Sequence, residues 1–352
     1  MLTGKKVLVT GGTGSLGKVL VRRLLSGEMG VPRQITVFSR DEAKQHSMRL
    51  AFQRLRTATD EVIYHNFERL LQFRIGDVRD PHSVKTALRD ADVVFNAAAL
   101  KQVPSCEYFP FEAVQTNING AENIIRAIRE GGLGVETVVG VSTDKACKPV
   151  NVMGMTKAVQ ERLFVRANLD AEHTRFICVR YGNVLASRGS VIPLFHEQIR
   201  RGGPVTITTT DMTRFLLSLE QAVDTIFAAI KGGRAGETYI PRVPSALVTD
   251  IASALVGERD IKTEVTGIRP GEKVHEILVS EEEAYRTVER GDYYVIMPML
   301  PELRADEGEP ATLGKEYSSA DSLMNKTEVG ELLRRHNLMV GDRFIYEEDM
   351  LA

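Results

Sequence analysis

The sequence predicts an α/β fold, in which a Rossmann-like, doubly wound parallel sheet is joined to a smaller C-terminal substrate lobe. Through the first half of the chain, short apolar and β-rich runs alternate with stretches of helical periodicity. A glycine-rich turn connects the first β-rich run to the first helical stretch. Beyond Tyr181 the alternation becomes less regular, which indicates where the lobe begins.

Six strands are predicted, each followed by a segment that can form a crossover helix. They are residues 6–10, 34–38, 71–75, 92–95, 136–141 and 175–179. The first helix is predicted at 16–25, because its leucine and valine residues recur at helical spacing and Gly27 provides a stop. Strands separated by helices imply right-handed βαβ crossovers and therefore a parallel sheet.

The predicted domain organisation has three parts. Residues 1–185 form the cofactor-binding Rossmann domain, to which 220–243 return, and residues 186–300 form the substrate lobe. Residues 301–352 form a C-terminal extension, which starts with an exposed connection rich in acidic residues and proline. A last short helix is predicted at 327–336.

Composition excludes several classes of protein. The 352 residues include 45 Lys and Arg and 47 Asp and Glu, so the net charge of −2 provides no basic field for nucleic acid or an anionic membrane. The three cysteines form no CxxC pair and the histidines lack ligand-like spacing, so we expect no disulfide framework and no metal site. No apolar run approaches the roughly 20 residues that span a bilayer, and the N-terminus leads directly into a strand. We therefore expect a soluble, cytoplasmic protein.

The first strand ends in a glycine-rich turn that predicts a dinucleotide site. The residues expected to contact the cofactor there are Gly11, Thr13, Gly14, Ser15, Leu16 and Gly17. In this GxxGxxG spacing the first glycine permits a tight turn, the second lets the backbone approach a pyrophosphate, and the third lets helix and strand pack closely. The N-terminus of the following helix offers unpaired N–H groups and a positive dipole end to the phosphates.

The end of the second strand indicates NADP rather than NAD as the cofactor. NAD sites usually place a carboxylate there for the ribose 2′-hydroxyl, whereas this chain has Ser39 and Arg40, followed by Lys44. Arg40 can pair with a 2′-phosphate and Ser39 can donate to it. Further cofactor contacts are expected at the ends of the third and fourth strands, from Asp77, Val78, Ala97, Ala98 and Ala99.

Two further motifs follow the fifth strand, namely Ser142-Thr143-Asp144-Lys145 and the segment from Asn151 to Lys157. With them the chain resembles the extended short-chain dehydrogenase/reductase superfamily, and within it the UDP-N-acetylglucosamine 4,6-dehydratases of bacterial glycan biosynthesis. The other motifs that carry this resemblance are ALKQVP at 99–104, RYGNV at 180–184, SRGS at 187–190 and RPGEK at 269–273. The resemblance covers nearly the whole chain.

The resemblance implies a dehydration in which NADP is regenerated within each turnover. Oxidation of C4 makes the C5 proton acidic, a base removes that proton, an acid helps the C6 hydroxyl to leave, and the hydride returns to C6. By resemblance, Asp144 is the acid and Lys145 the base, since elimination needs an acid and a base with separated pKa values. Lys145 would then need a lowered pKa, which burial beside another cation could provide. Thr143 is implied to hydrogen-bond the sugar O4, and Lys157 to hold the nicotinamide ribose.

One position departs from the superfamily pattern. Its members usually carry tyrosine four residues before the lysine, whereas this chain has Met153, which cannot transfer a proton; some dehydratases are similar in having methionine here. The group that deprotonates O4 is therefore left open among Thr143 acting through a water chain, Lys157, and the Asp144–Lys145 pair. The departure also allows a catalytically inactive NADP-binding protein, against which the retained acid–base pair argues. A sugar-nucleotide 4-epimerase and the same dehydration of a GDP-linked sugar are the remaining alternatives.

A sugar nucleotide carries a diphosphate, so arginines are expected around it. The resemblance places the substrate contacts on Lys101, Tyr181, Asn183, Arg188, Arg214, Arg269 and Glu272. Arg188 and Arg269 match diphosphate-binding positions of the family, and Glu272 would accept hydrogen bonds from ribose hydroxyls. The resemblance also implies a homo-oligomer, either a dimer or a hexamer.

Overall fold

The structure is a computed structural model that describes residues 1–54, 61–185, 190–304 and 309–342. The strands of these residues are β1 (Lys6–Thr10), β2 (Gln34–Ser39), β3 (Leu71–Ile75), β4 (Val93–Asn96), β5 (Thr137–Val141), β6 (Arg175–Val179), β7 (Val205–Ile207), β8 (Thr213–Phe215), β9 (Thr238–Pro241), β10 (Ser245–Leu247), β11 (Thr263–Val265), β12 (Ile277–Val279), β13 (Thr287–Arg290), β14 (Tyr293–Ile296) and β15 (Tyr317–Ser318).

The α-helices are α1 (Ser15–Leu25), α2 (Glu42–Arg54), α3 (Glu61–Leu70), α4 (Pro81–Leu88), α5 (Val103–Tyr108), α6 (Pro110–Ala113), α7 (Gly120–Gly131), α8 (Val152–Ala167), α9 (Val191–Arg200), α10 (Leu219–Gly232), α11 (Val248–Val256), α12 (Glu281–Ala284) and α13 (Lys326–Arg335). A π-helical segment, Val114–Asn119, connects α6 to α7, and 3₁₀ turns form at Asp144–Ala146 and Pro301–Leu303. No helix of the described residues is long and apolar enough to cross a membrane.

A nine-stranded sheet forms the centre of the molecule, in the order β13-β14-β9-β6-β5-β4-β1-β2-β3. The seven strands from β9 to β3 run parallel, and β14 and β13 extend the sheet as an antiparallel hairpin. The chain builds outward from β1 to β3 and then returns to add β4 on the other side of β1. The predicted doubly wound parallel sheet is therefore confirmed, and its topological switch point lies between β1 and β4, where ligands bind in such folds.

Each face of the sheet is covered by helices, because alternate residues of a strand point to opposite faces. On one face Val7 and Val9 of β1 belong to a core with α1, α3 and α10. On the other face Leu8 belongs to a core that includes α4 and α7 and is completed by Phe164 of α8. Every residue of β4 and β5 is buried, as expected for central strands covered on both sides.

The substrate-lobe region has a hydrophobic core of its own. This core is formed by α9, α11, α13 and the short strands between them, with Phe195, Leu255 and Leu333 fully buried. Helix α13 lies in the predicted C-terminal extension but packs in this lobe core, so that part of the extension is joined to the lobe. The lobe covers one end of the central sheet, next to the carboxyl ends of its parallel strands.

The structure differs from the predicted boundaries of the lobe at residues 287–296. The predicted lobe, 186–300, included this segment, but β13 and β14 belong to the central sheet, with β14 paired to β9. Pairing with β9 supplies the edge of the sheet with hydrogen bonds and buries Val288 and Val295 in its core. The segment 220–243, predicted to return to the Rossmann domain, provides α10 and β9 on that same side.

Candidate active site

A cleft of about 530 Å³ lies between the carboxyl ends of the central strands and the lobe. It brings together residues that are far apart in the sequence and were predicted to act in one site. Those lining the cleft are Ser15, Leu16, Ala97, Ala99, Lys101, Thr143, Lys145, Met153, Lys157, Tyr181, Asn183, Arg214, Arg269 and Glu272. Arg188 lies outside the described residues.

The glycine turn has a backbone conformation and a close packing that side chains larger than a hydrogen atom would prevent. Gly11 has a φ of 66°, and a Cβ atom there would lie 2.7 Å from the backbone nitrogen of Ala98. A Cβ atom on Gly17 would lie 2.5 Å from the Cα of Gly12, so helix and strand pack backbone to backbone. Gly14 precedes α1 without a side-chain cap, which leaves the first N–H groups of the helix free of a capping side chain. The turn therefore fits the pyrophosphate of a dinucleotide.

Hydrogen bonds join the carboxyl ends of strands β1 and β4 beside this turn. The hydroxyl of Thr10 donates to Asn96 Oδ1 over 2.7 Å and accepts from the backbone N–H of Ala98 at 3.3 Å. The backbone N–H of Ala97 donates to the Thr10 carbonyl over 3.2 Å. These bonds fix the run of small residues, through Ala99, along the wall of the cleft where a cofactor would pass.

Cationic side chains surround the end of β2. Arg40 is half exposed, with its Nη1 3.6 Å from Asp77 Oδ2, and Lys44 pairs with Asp41 at 3.5 Å. Ser39 accepts a hydrogen bond from Gln45. Burial would raise the pKa of Asp77, but the hydrogen bonds and charge of Arg79 hold it below its ordinary value. The predicted contact Val78 is buried in the core beside this group.

The reaction centre predicted at the end of β5 is a compact hydrogen-bonded group. Thr143 Oγ1 donates to Asp144 Oδ1 over 2.8 Å, and Lys145 Nζ donates to the same oxygen over 3.0 Å. Asp144 is fully buried beneath the cleft, whereas the side chain of Lys145 is 21% exposed within it. Lys145 Nζ also donates to Asn183 Oδ1 over 3.0 Å. The backbone N–H of Asp144 donates to the Tyr181 carbonyl, which anchors the turn to the end of β6.

The lowered pKa that a base at Lys145 would need is not found in this structure. Burial and the charge of Arg214 do lower the pKa of Lys145, but the carboxylates of Asp144 and Glu276 outweigh them and raise it above its ordinary value. Glu276 comes from the lobe, with its Oε1 3.5 Å from Lys145 Nζ. The sequence alone could not reveal this contact, because it joins residues from opposite sides of the cleft.

Helix α8 presents Met153 and Lys157 to the cleft one turn apart. The Asn151 side chain caps the helix by accepting from the N–H of Gly154 over 2.8 Å. Lys157 is buried and donates to Gln160 Oε1, and burial lowers its pKa to about 8 although the charge of Glu161 opposes the shift. Met153 packs against Cys106 and Ala113, so this position is apolar.

Sequence reasoning also missed Asn117, which lies in the π-helical segment. Its side chain is buried, accepts from the N–H of Leu100 over 2.8 Å, and donates to the Leu100 carbonyl and to Thr156 Oγ1. Asn117 thereby holds the segment before Lys101 against helix α8. A single asparagine in a helical stretch gives no distinct sequence signal, although π-helical turns are frequent at functional sites.

The lobe contributes charged residues of both signs to the cleft, namely Arg214, Arg269, Glu272 and Glu276. Arg214 is nearly buried, donates to the backbone carbonyls of Thr213 and Val274, and lies 3.9 Å from Glu276. Arg269 is exposed in the cleft wall, and Glu272 accepts from Thr208 Oγ1 at 3.5 Å. In the described part of the chain, no three His, Cys, Asp or Glu side chains converge as a metal site would require.

Comparison with solved structures gives the same class of protein as the fold, an α/β protein with a Rossmann-like sheet. Within that class the chain belongs to the family described as polysaccharide biosynthesis protein, which matches residues 7–298. The predicted family resemblance is therefore confirmed.

Two curated relatives cover most of the chain. The chain is 43% identical over 303 residues to a UDP-N-acetylglucosamine 4,6-dehydratase (inverting) of Campylobacter jejuni strain 81-176, covering 85% of each protein. It is 41% identical over 344 residues to a UDP-glucose 4-epimerase of Rickettsia bellii strain OSU 85-389, covering 95% of this chain and 96% of the relative.

Solved structures show the same architecture. Pen from Bacillus thuringiensis superposes with a TM-score of 0.84 at 34% identity, covering 96% of this chain and all of that one. DesIV, a dTDP-glucose 4,6-dehydratase from Streptomyces venezuelae with NAD bound, gives a TM-score of 0.63 at 22% identity over 76% of this chain and 86% of its own. This second similarity supports the fold alone.

Proposed function

We propose that the protein catalyses the NADP-dependent 4,6-dehydration of UDP-N-acetylglucosamine to a UDP-2-acetamido-2,6-dideoxy-4-hexulose. The observation that carries the proposal is the buried Asp144, hydrogen-bonded to both Thr143 and Lys145 at the end of β5. The glycine turn lies on the adjoining strand ends, where a dinucleotide would face this group. The Campylobacter relative, named for this reaction, supports the choice of substrate.

The chemistry explains why an acid and a base stand together. The C5 proton of a hexose is not acidic until C4 has become a ketone, and bound NADP supplies the two-electron oxidation and its later reversal at C6. The protein must therefore take a proton from O4, take another from C5, and protonate the departing C6 hydroxyl. The net change is the loss of one water molecule.

The hydrogen bonds of the site support a route for these proton transfers through three side chains. Thr143 donates to Asp144, so a sugar O4 bound to the same hydroxyl would pass its proton through Thr143 to the carboxylate. Asp144, now protonated, donates to the C6 oxygen as it leaves as water. Lys145 removes the C5 proton in its neutral form, which its raised pKa makes the minor form near neutral pH, and later returns a proton to C5. This route requires no proton from position 153, where Met153 stands.

The remaining residues of the cleft bind the ligands. Lys157 holds the nicotinamide ribose, and its charge favours deprotonation nearby. Arg214, Arg269 and Glu272 line the cleft, and in this proposal the two arginines bind the diphosphate while Glu272 accepts from ribose hydroxyls. Lys101, Tyr181 and Asn183 line the same cleft and would contact the sugar. Arg188 is a further proposed diphosphate contact because of its Ser-Arg-Gly-Ser motif.

Replacing Arg40 by alanine is expected to weaken NADP binding about 10- to 100-fold, the loss of one charge-assisted contact to the 2′-phosphate. NAD binding should change little, because NAD lacks that phosphate. Titrations of both cofactors with the purified variant, monitored calorimetrically, measure the difference. Arg33→Ala, at the opposite end of β2, is the matched control. Equal losses for both cofactors, or tighter binding of NAD by the unaltered protein, would contradict the assignment.

The epimerase relative makes 4-epimerisation the second candidate. Both reactions pass through a C4 ketone, but epimerisation needs no elimination and so no acid–base pair beside C5 and C6. Incubation with UDP-N-acetylglucosamine, UDP-glucose and a GDP-linked hexose, followed by proton NMR, separates the two. The proposal requires a new C6 methyl signal from the first substrate. A C4-inverted product without a methyl group would indicate an epimerase, a methyl only from the GDP-linked sugar would change the substrate, and no product at all would indicate an inactive cofactor-binding protein.

A further inference from the structure

Glu276 is a buried carboxylate in the wall of the cleft. It follows the Arg-Pro-Gly-Glu-Lys motif and directly precedes β12, and it is 3% exposed. Its backbone N–H donates to Ser319 Oγ over 2.9 Å, and its carbonyl accepts from the N–H of Ser319 over 2.8 Å. The backbone of Glu276 is therefore held on both sides, and its side chain enters the cleft from a fixed position.

The contacts of this carboxylate are with cations. Its Oε1 lies 3.5 Å from Lys145 Nζ and 3.9 Å from Arg214 Nε. Among the described residues no donor lies within hydrogen-bonding distance of its other oxygen, Oε2. A carboxylate buried in this way is stabilised mainly by the neighbouring positive charges, and it stabilises those charges in return.

We infer that Glu276 is a positioning residue for Lys145, which fixes the amine in the cleft and strengthens it as a proton acceptor. The inference rests on the proposed function, in which Lys145 removes the C5 proton. An ammonium group has three N–H donors, and the three groups around Nζ are Asp144, Asn183 and Glu276. In the neutral amine the two N–H groups donate to Asp144 and Asn183, each at 3.0 Å, and the remaining position holds the lone pair that accepts a proton.

The electrostatic effect follows from the charges around the amine. As Lys145 takes the C5 proton it gains a positive charge, which the carboxylate of Glu276 stabilises in a largely buried site. The charged groups that act on Lys145 are the carboxylates Asp144 and Glu276 and the cations Arg214 and Lys273. Glu276 thus acts across the cleft, from the lobe, on the base supplied by the Rossmann sheet.

The reactivity of the Lys145 amine tests this inference directly, without any substrate. Only the neutral amine is acylated, so the rate of acetylation by acetic anhydride at pH 8, measured by mass spectrometry, reports its neutral fraction. In Glu276→Gln the pKa of Lys145 should fall by about one unit because a carboxylate within 4 Å is removed, so the rate should rise about tenfold. Glu276→Asp keeps the charge and should remain closer to the unaltered protein.

Two further readouts make the test specific. Glu281→Gln, an exposed glutamate in α12 that pairs with Lys148, should leave the Lys145 rate unchanged. In the dehydration assay, Glu276→Gln should move the rising limb of kcat against pH to lower pH by about one unit and lower its plateau. On that plateau, deuterium incorporation at C5 in D₂O should slow as well.

The outcomes separate this inference from the proposed function. If the unaltered protein forms no C6 methyl product, the proposed function fails, while the acetylation rates still report whether Glu276 acts on Lys145. An acetylation rate of Lys145 that is unchanged or lower in folded Glu276→Gln overturns the inference. A tenfold faster rate together with the shifted pH limb supports it.

Discussion

Replacing Lys145 by alanine is expected to lower kcat for dehydration by at least about 10³-fold, within the range that a positioned general base contributes. The amine lies in the cleft at 3.0 Å from Asp144, and alanine leaves no group there to take the C5 proton. Product formation followed by NMR measures the loss. Oxidation at C4 precedes deprotonation at C5, so this variant should still reduce its bound cofactor in a single turnover, as detected by near-ultraviolet absorbance.

Asp144→Asn should lose a similar factor for a different reason. The amide preserves the size of the side chain but can neither accept the O4 proton from Thr143 nor donate a proton to the leaving C6 oxygen. Lys148→Ala is the matched control, because Lys148 is a surface lysine three residues beyond the base and pairs with Glu316. Full dehydration by both the Lys145 and the Asp144 variants would remove the assignment of acid and base.

Replacing Arg180 by methionine is expected to destabilise the fold by about 3–5 kcal/mol, the cost of removing one partner from a buried ion pair. Arg180 lies at the end of β6, 3% exposed, between Glu161 of α8 at 2.6 Å and Glu283 of α12 at 2.7 Å. Methionine would remove the counter-charge that both buried carboxylates share and leave Arg286, 3.9 Å from Glu283, as a cation beside that carboxylate. Urea unfolding measures the change in the free energy of unfolding.

The matched control for this variant is Arg166→Met on the exposed face of α8. Arg166 pairs with Asp170 one turn away, and its side chain is 55% exposed, so its loss should cost less than about 0.5 kcal/mol. Similar destabilisation by the two variants would show that the buried triad of Arg180, Glu161 and Glu283 contributes no more than a surface pair.

The free energies of unfolding of the unaltered protein and of Arg180→Met should also respond to pH in opposite directions. Burial would raise the pKa of Glu283, but the charge and hydrogen bonds of Arg180 lower it to about 2. In the unaltered protein this carboxylate therefore stabilises the fold above its unfolded pKa, and that contribution is lost as the pH falls towards about 2. Without Arg180 the buried carboxylate has a raised pKa, so the variant should gain relative stability as the pH falls from neutral.

The central sheet could be predicted from the sequence because its signals are local. The six predicted strands agree with the observed ones to within one residue at each end, and the glycine turn gave the position of β1 and α1. The hairpin of β13 and β14 was missed because its short strands contain Glu289 and Arg290 and lie far along the chain from β9. Only the tertiary fold brings them to the edge of the sheet.

Part of the site could also be predicted, because its motifs are local sequence signals. Asp144 and Lys145 adjoin a strand end, where motif and position agree, and the structure brings them together with Thr143 as one hydrogen-bonded group. Glu276 and Asn117 act through contacts with segments distant in the sequence, so no local pattern marks them. The raised pKa of Lys145 could not be predicted from the sequence, because it depends on a carboxylate from the lobe, Glu276, that faces the amine together with the cation Arg214.

In the proposed reaction one resident cofactor takes a hydride from C4 and returns it to C6 of the same sugar. UDP-N-acetylglucosamine carrying deuterium at C4 tests it most directly, with the product analysed by NMR and mass spectrometry. We expect the C4 deuterium to appear in the C6 methyl group of the product, at unchanged yield when unlabelled NADPH is added. Deuterium retained at C4 of an inverted sugar, or a methyl group without deuterium because its hydride came from the added NADPH, would contradict it.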